Sequence, residues 1–191
     1  MVKASNPIQK NIVGIAQTHC IVGEGPIWSH SEQCLYWLDI VEKALFRHNP
    51  VTKQTQHVIL DKAFSVIALG QGKNLIVATE DGIAVTSFDK PTITLLIDKM
   101  GVGIGNRFND GKVDCYGRFW LGSMCKTVDS ASGRLYRIDQ RMLASVVDSD
   151  YTVANGMAWS PDNKTLYVNE SKQRRIWAYT LNEQGDESDK R

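Results

Sequence analysis

Three turn-like clusters in the sequence carry more polar side chains than a connecting loop requires. They lie at residues 23–26 (Gly-Glu-Gly-Pro), 106–114 and 154–157 (Ala-Asn-Gly-Met). Carboxylate and amide oxygens, such as those of Glu24, Asn109 and Asn155, are hard ligands that suit Ca²⁺, Mg²⁺ or Mn²⁺, and Zn²⁺ also accepts them. These residue types therefore indicate a divalent-cation site, provided that the fold brings the three clusters together.

The segments around these clusters have the pattern of short β-strands. Four aromatic or apolar runs each follow a turn-rich stretch, at residues 35–39, 75–79, 119–122 and 166–168. Turn residues that open a short apolar run predict a strand. No long segment shows the 3.6-residue period of an amphipathic helix, so we expect an all-β protein.

The strand pattern repeats along the chain. With Leu35, Leu75, Phe119 and Leu166 taken as equivalent points, the spacings are 40, 44 and 47 residues. Each unit contains a short apolar strand, a polar turn, the aromatic strand and a third strand, and a fourth strand fits between units. Four strands per unit at this period predict the blades of a β-propeller. A β-sandwich with accidental periodicity is the alternative.

A propeller would bring the polar clusters together, because the innermost strand of every blade lines the central channel. Glu24, Asn109 and Asn155 would converge there although 85 and 46 positions separate them. Four units nearly fill the 191 residues. The polar segment 182–191 predicts a loop without a following strand, so we expect the fourth unit to lack its outer strand. The expected organisation is a single, incomplete propeller domain over 1–191, with an N-terminal extension at 1–14.

Composition excludes several classes of partner. The chain has 22 Lys and Arg against 21 Asp and Glu, for a formal net charge of +1. This balance gives no electrostatic reason to expect nucleic acid or an anionic membrane surface. No apolar run approaches the roughly 20 residues needed to cross a bilayer, and the N-terminus lacks the apolar region of a signal peptide. We therefore expect a cytoplasmic protein with neither nucleic-acid nor membrane partners.

Five stretches together resemble one known family. They read E-G-P-I-W from Glu24, L-Y-W-L-D-I from Leu35, R-F-N-D-G-K-V-D from Arg107, G-R-F-W-L-G-S-M from Gly117 and N-G-M-A-W-S-P-D from Asn155. In order and spacing, the sequence resembles the gluconolactonase family, which includes regucalcin (senescence marker protein) and the luciferin-regenerating enzymes, over about residues 15–191. The resemblance implies a six-bladed propeller with one divalent ion in its channel, of which this chain contains about four blades.

The resemblance also implies roles for individual residues. Glu24 and Asn155 match the family's metal ligands, and Arg107 and Asn109 match its contacts to a sugar lactone. The implied cofactor is one divalent cation, Ca²⁺ or Zn²⁺ first and Mn²⁺ or Mg²⁺ as further candidates. The implied activity is metal-dependent hydrolysis of sugar lactones. The family's third metal-binding acid, an Asp that also serves as general base, lies in the next blade. We therefore expect it to be missing through C-terminal truncation.

Other interpretations of the same residues remain open at this stage. Glu24 between two glycines, and Asn155 in an Asn-Gly pair, are also common turn residues. Arg107 could pair with Asp110 or Asp114, and Asn109 could cap a turn. For the whole chain, the alternative to an enzyme is a non-catalytic calcium-binding or partner-binding propeller. Open blade edges could also pair with a second copy of the chain.

Overall fold

Four antiparallel sheets of four strands each make up the computed structural model, which describes residues 16–98 and 100–191. Within each sheet the strands follow one another as a meander, and no helix occurs in these residues. The first sheet contains β1 (Gly23–Ser29), β2 (Cys34–Asp39), β3 (Ala44–Asn49) and β4 (Gln54–Ile59). The second contains β5 (Phe64–Leu69), β6 (Asn74–Thr79), β7 (Gly82–Ser87) and β8 (Thr94–Asp98).

The second half of the chain repeats this arrangement. The third sheet contains β9 (Asn106–Val113), β10 (Phe119–Cys125), β11 (Gly133–Ile138) and β12 (Ala144–Tyr151). The fourth contains β13 (Ala154–Trp159), β14 (Thr165–Glu170), β15 (Arg175–Leu181) and β16 (Glu187–Lys190). The sheets are the blades of a propeller, so the predicted all-β propeller of about four blades is confirmed. The predicted N-terminal extension, 1–14, lies outside the described residues.

The expectation about the end of the fourth blade is wrong. Residues 187–190 form the outer strand β16, in which Lys190, Asp189 and Glu187 pair with Tyr179, Thr180 and Leu181 of β15. No sequence pattern indicates this strand, because an outer blade strand needs only backbone hydrogen bonds to its inner neighbour. Its side chains are mostly exposed and polar, so it lacks the apolar alternation that marks the other strands.

Apolar side chains fill the space between successive blades. Side chains along each middle strand point alternately to the two faces of the blade, and both faces carry apolar residues. In β6, Leu75 and Val77 face the first blade, while Ala78 faces the third. Three clusters result, one at each blade junction, and Trp120, Tyr36, Tyr151, Phe64 and Phe108 are their largest fully buried members. Burial against a neighbour on both sides explains why the blades stack around an axis. In the described part of the chain, no helix is long and apolar enough to cross a membrane.

Candidate functional site

The innermost strands of all four blades wall a cavity of about 510 Å³. Its lining residues come from the equivalent part of each strand: 24–27 of β1, 67–69 of β5, 110–113 of β9, and 156–157 of β13. The inner strands contact one another in the order β1, β5, β9, β13. The convergence of the polar clusters at one channel therefore follows from the propeller geometry.

Each inner strand is bulged near the same level of the channel. The register with the neighbouring strand shifts between Glu24 and Ile27 in β1, and between Phe64 and Val66 in β5. It shifts opposite Gly122 and Ser123 in β9, and between Asn155 and Met157 in β13. A bulge changes the direction of the side chains beside it and is common next to active sites. The bulges explain why the polar residues at the strand entrances do not simply continue the in-and-out alternation.

Two glycines make the bulges beside Glu24 and Asn155 possible. Gly25 has φ of 59° and Gly156 has φ of 53°, in the left-handed region that a side chain disfavours. A Cβ atom on Gly156 would also lie 2.9 Å from the side-chain nitrogen of Asn169. The backbone conformation at these two positions therefore explains why the E-G-P and N-G-M stretches each contain a glycine.

Glu24 and Asp110 place two carboxylates on the cavity wall. Partial burial, together with the negative charge of Asp110, raises the pKa of Glu24 above its usual value. The backbone N–H of Gly25 and the charge of Arg107 act in the opposite direction. The wall is therefore a region of negative charge with hard oxygen donors, which is the environment that a divalent cation favours.

Arg107 lies beside this wall without a carboxylate partner in residues 16–98 and 100–191. Its Nη1 donates hydrogen bonds to the carbonyl oxygen of Phe108 (2.8 Å) and to Oδ1 of Asn109 (3.1 Å). Burial lowers the pKa of Arg107, although the charges of Glu24 and Glu80 partly offset that effect. The alternative that Arg107 pairs with Asp110 or Asp114 is wrong, because no such ion pair forms.

The nearby carboxylate of Asp114 has a structural role instead. It accepts hydrogen bonds from Nε of Arg118 (2.7 Å) and Nε1 of Trp120 (2.9 Å). Its other oxygen accepts the backbone N–H groups of Tyr116 and Arg118. Asp114 therefore fixes the turn between β9 and β10 and buries no unpaired charge.

Asn109 and Asp110 both reach from the third blade to the fourth. Asn109 Nδ2 donates to the carbonyl oxygen of Ala154 at 3.0 Å, and Asp110 Oδ2 accepts the backbone N–H of Gly156 at 2.8 Å. Asn155, between these two points, is half-buried, and its Nδ2 donates to Oγ of Ser171 at 3.3 Å. Arg107, Asn109 and the Asn155 turn thus form one connected group, with Glu24 across the cavity.

Two buried acids that the sequence analysis missed support the predicted ligands. Asp39 at the end of β2 accepts the backbone N–H groups of Ile21 (2.6 Å) and Val22 (3.3 Å), just before Glu24. Glu170 at the end of β14 accepts those of Thr152 (2.7 Å) and Val153 (3.1 Å), just before Asn155. Both acids are 0% exposed. The sequence does contain a sign of them: in the two blades that carry Glu24 and Asn155, the last residue of the second strand is an acid.

The donors at the cavity suit a hard cation, although they do not form a complete set. Among residues 16–98 and 100–191, no three His, Cys, Asp or Glu side chains come together as a metal cluster. The carboxylates on the wall are those of Glu24 and Asp110, and each Asp110 oxygen already accepts a backbone N–H. The amide of Asn155 belongs to the residue next to the wall residue Gly156. Two acids that repel each other, plus an amide oxygen, fit a partial coordination shell for Ca²⁺, Mg²⁺ or Mn²⁺.

Comparison with known proteins identifies the family. Residues 22–191 match the family described as the SMP-30/gluconolactonase/LRE-like region. The chain belongs to this family. Within the SMP-30/gluconolactonase/LRE-like family, a relative from Pseudomonas putida named 6-deoxy-6-sulfogluconolactonase is 33% identical over 165 residues, which are 86% of this chain and 57% of that protein.

Two solved structures have a similar fold. A luciferin-regenerating enzyme superposes with a TM-score of 0.81 at 31% identity, covering 90% of this chain and 60% of the other. A structure from Agrobacterium tumefaciens, titled as the calcium-binding protein regucalcin, superposes with a TM-score of 0.86 at 22% identity, covering 93% and 60%. At that identity the second similarity shows the fold alone. The chain spans about three fifths of the length of these relatives.

Proposed function

We propose that this chain carries part of a site for the metal-dependent hydrolysis of a sugar lactone. The observation that supports the proposal most is the cavity at the bulges of the four inner strands, with the carboxylate of Glu24 and the turn at Asn155 and Gly156 beside it. Family membership, and a relative named as a lactonase, support a lactone as the substrate. The chain spans only part of the length of its relatives. The lactonase activity that a full-length relative is named for is therefore proposed for this chain.

Glu24 and Asn155 are the proposed cation ligands. The negative wall formed by Glu24 and Asp110 favours a divalent cation, with Ca²⁺ or Zn²⁺ as the first candidates and Mn²⁺ or Mg²⁺ as further ones. A cation held there would polarise the lactone carbonyl and stabilise the negative charge that develops on its oxygen.

Arg107 and Asn109 are the proposed substrate contacts. Within the described residues, every hydrogen bond of the Arg107 side chain comes from Nη1, so Nε and Nη2 can donate to sugar hydroxyls. Asn109 uses one N–H on Ala154 and accepts from Arg107, which leaves its second N–H for a ligand. We assign the general base to neither residue. Asp110 is also a poor candidate, because each of its oxygens already accepts a backbone N–H.

The test is acid release from gluconolactone by the purified chain, measured with Ca²⁺ or Zn²⁺ and again after chelation. Glu24→Gln is the test variant, and Asp162→Asn, which neutralises an acid in the exposed turn after β13, is the matched control. We expect cation-dependent hydrolysis above the spontaneous rate, slowed by the lack of an assigned general base, in the wild type and the control, and a further loss of about 100-fold or more in Glu24→Gln. Hydrolysis that persists after chelation, or in Glu24→Gln, would contradict the proposal.

A non-catalytic calcium-binding or partner-binding propeller is the second candidate. It is supported by the carboxylates of Glu24 and Asp110 on the cavity wall, which suit a calcium ion, and by Asp110, whose two oxygens already accept backbone N–H groups and are not free to act as a base. Calorimetry separates the two candidates. Cation binding without hydrolysis above the spontaneous rate would favour this second function, whereas cation-dependent turnover would exclude it.

We also propose that the outer faces of the first and fourth blades contact a second copy of the chain. On the first blade, Trp37 stacks on Phe46 with ring centroids 5.1 Å apart on the face away from the second blade. On the fourth, Ile176 is 65% exposed and Tyr167 is 41% exposed. Sedimentation should show a dimer or larger species, and a monomer at high concentration would contradict this.

A cytoplasmic location, and the lack of nucleic-acid and membrane partners, stay predictions.

A further inference from the structure

We propose that Asn109 and Asp110 of the third blade are positioning residues for Asn155 of the fourth. Together they clamp the backbone of residues 154–156, so that the amide oxygen of Asn155 stays available to a cation. The inference rests on the proposed function to the extent that Asn155 is a cation ligand. The clamp itself rests on contacts between the two blades.

The two hydrogen bonds lie on either side of Asn155. Asn109 Nδ2 donates to the carbonyl oxygen of Ala154, the residue before it, at 3.0 Å. Asp110 Oδ2 accepts the N–H of Gly156, the residue after it, at 2.8 Å. Adjacent side chains of one blade therefore fix both peptide groups that flank a single residue of the next blade. A local turn would need neither bond.

Competition for the Gly156 N–H gives Asp110 a specific task. That N–H also lies 3.1 Å from Oδ1 of Asn155, the atom proposed to bind the cation. The bond to the Asp110 carboxylate is shorter, and a bond to a charged acceptor is stronger than one to a neutral amide. Without Asp110, the Gly156 N–H would turn to Asn155 Oδ1 alone and occupy the oxygen that the cation requires.

Neither clamping residue can be replaced by its nearest analogue without loss. Asp110 accepts at both oxygens, from Gly111 N at 2.7 Å and from Gly156 N at 2.8 Å. An Asn there would place an NH₂ group against one of these donors. Asn109 uses both ends of its amide, since Oδ1 accepts from Arg107 and Nδ2 donates to Ala154. The same residue thereby connects the proposed substrate contact to the proposed cation ligand.

Close packing of the two blades holds the clamp at hydrogen-bonding distance. Gly122 of β10 is the strand partner of Asp110, and a Cβ atom there would lie 2.6 Å from the Cβ of Ala154. Real Cβ atoms do not approach so closely, so only glycine allows the blades to meet here. The glycine at this position and the Asn-Asp pair opposite it belong to one arrangement.

The test uses Asn109→Leu, which removes the amide without changing charge, and Asp110→Asn, with Asp162→Asn as the charge-matched control on the fourth blade. Hydrogen–deuterium exchange by NMR in the cation-free chain follows the amides of Asn155 and Gly156, with Leu166 as the internal reference. We expect exchange at Gly156 to be about tenfold faster or more in both test variants. The control should change little. Any global loss of stability in a test variant would also speed exchange at Leu166, so the effect at Gly156 is measured relative to that reference.

Calorimetry with CaCl₂ and with ZnCl₂ then measures the consequence for the cation. We expect the dissociation constant to rise by about 10–100-fold in both test variants, as when a residue that orients a metal ligand is removed. A higher dissociation constant in Asp110→Asn alone would assign the effect to charge and overturn the proposal. Unchanged exchange at Gly156 in folded Asn109→Leu would also overturn it, and Asn109→Ser replaces that variant if it fails to fold.

The two proposals fail in different ways. Suppose that Gly156 exchanges faster in the variants but the wild-type chain binds neither Ca²⁺ nor Zn²⁺. That result would support the clamp and overturn the proposed function. Cation binding that all variants retain at wild-type affinity would overturn the clamp and leave the proposed function standing.

Discussion

Asp39→Asn is the change whose effect on stability follows most directly from the structure. The side chain is 0% exposed and accepts four backbone N–H groups. Oδ2 accepts from Ile21 at 2.6 Å, while Oδ1 accepts from Val22, Val41 and Glu42 at 3.0–3.3 Å. The carboxylate thus connects the segment before β1 to the turn after β2.

Asparagine can satisfy only part of this set. If its oxygen keeps the three donors at Oδ1, its NH₂ group faces the N–H of Ile21. One charge-assisted bond is then lost, which costs about 1.5–3 kcal/mol, and the remaining bonds weaken because their acceptor is neutral. We expect a total loss of about 3 kcal/mol in the free energy of unfolding. In a chain of this size, that lowers the melting temperature by about 6–12 °C.

The effect should depend on pH in a defined direction. Burial acts to raise the pKa of Asp39, but the four backbone N–H groups outweigh it and hold the pKa below its usual value. A carboxylate with a lowered pKa in the folded state stabilises the protein above its unfolded pKa of about 3.9. That stabilisation is lost as the pH falls through the folded value. The difference between wild type and Asp39→Asn should therefore be constant near pH 6–7 and shrink below about pH 4.

Urea unfolding followed by tryptophan fluorescence, at pH 7 and at several lower pH values, measures both quantities. Asp139→Asn is the control, because Asp139 accepts the N–H groups of Arg141 and Leu143 at the same oxygen and is less buried. An asparagine there can keep both backbone bonds, and it loses only the exposed ion pair between Oδ2 and the Arg141 side chain. A loss below about 1 kcal/mol in Asp39→Asn at pH 7, or one that stays constant down to pH 3, would refute the reasoning.

Three further changes test the junction between the third and fourth blades. Glu170→Gln should lower the free energy of unfolding in urea by about 2–3 kcal/mol. One carboxylate oxygen of Glu170 accepts the N–H of Thr152 and the other accepts that of Lys172, so the NH₂ group of a glutamine must face one of these donors. Gly122→Ala should cost about 1–3 kcal/mol through overpacking against Ala154, and an unchanged melting temperature would contradict the close approach. Tyr179→Phe should cost about 1–3 kcal/mol in thermal unfolding, because the buried hydroxyl of Tyr151 loses its partner; Tyr116→Phe, at an exposed site, is the comparison.

The repeat in the sequence was sufficient to predict the blades, because strand periodicity and turn residues are local properties. The middle strands predicted at 35–39, 75–79, 119–122 and 166–168 agree closely with β2, β6, β10 and β14. The outer strand β16 could not be predicted in this way. Its polar side chains face solvent, so only its hydrogen bonds to β15 define it, and those depend on a neighbour that is already in place.

The polar clusters show the same division between local and long-range information. The sequence predicted that Glu24, Asn109 and Asn155 converge at one channel. Glu24 lines the cavity, whereas the second and third clusters reach it through Asp110 and Gly156, the neighbours of Asn109 and Asn155. The glycines after Glu24 and Asn155 were readable as turn residues. Their left-handed backbone angles agree with that prediction. The proposed roles in binding a cation and a lactone stay predictions that the experiments above test.

The sequence alone therefore determined the blade repeat, the family and which polar clusters meet at the channel, since each depends on residue type and spacing. Only the tertiary structure decided that Asn109 reaches Ala154, that Asp110 holds Gly156, and that Asp39 and Glu170 anchor the segments before Glu24 and Asn155. These hydrogen bonds join residues 17–46 positions apart, and most of their partners are backbone groups. Every residue except proline carries the same backbone N–H, so its partner is fixed by where the blades place it and not by a sequence pattern.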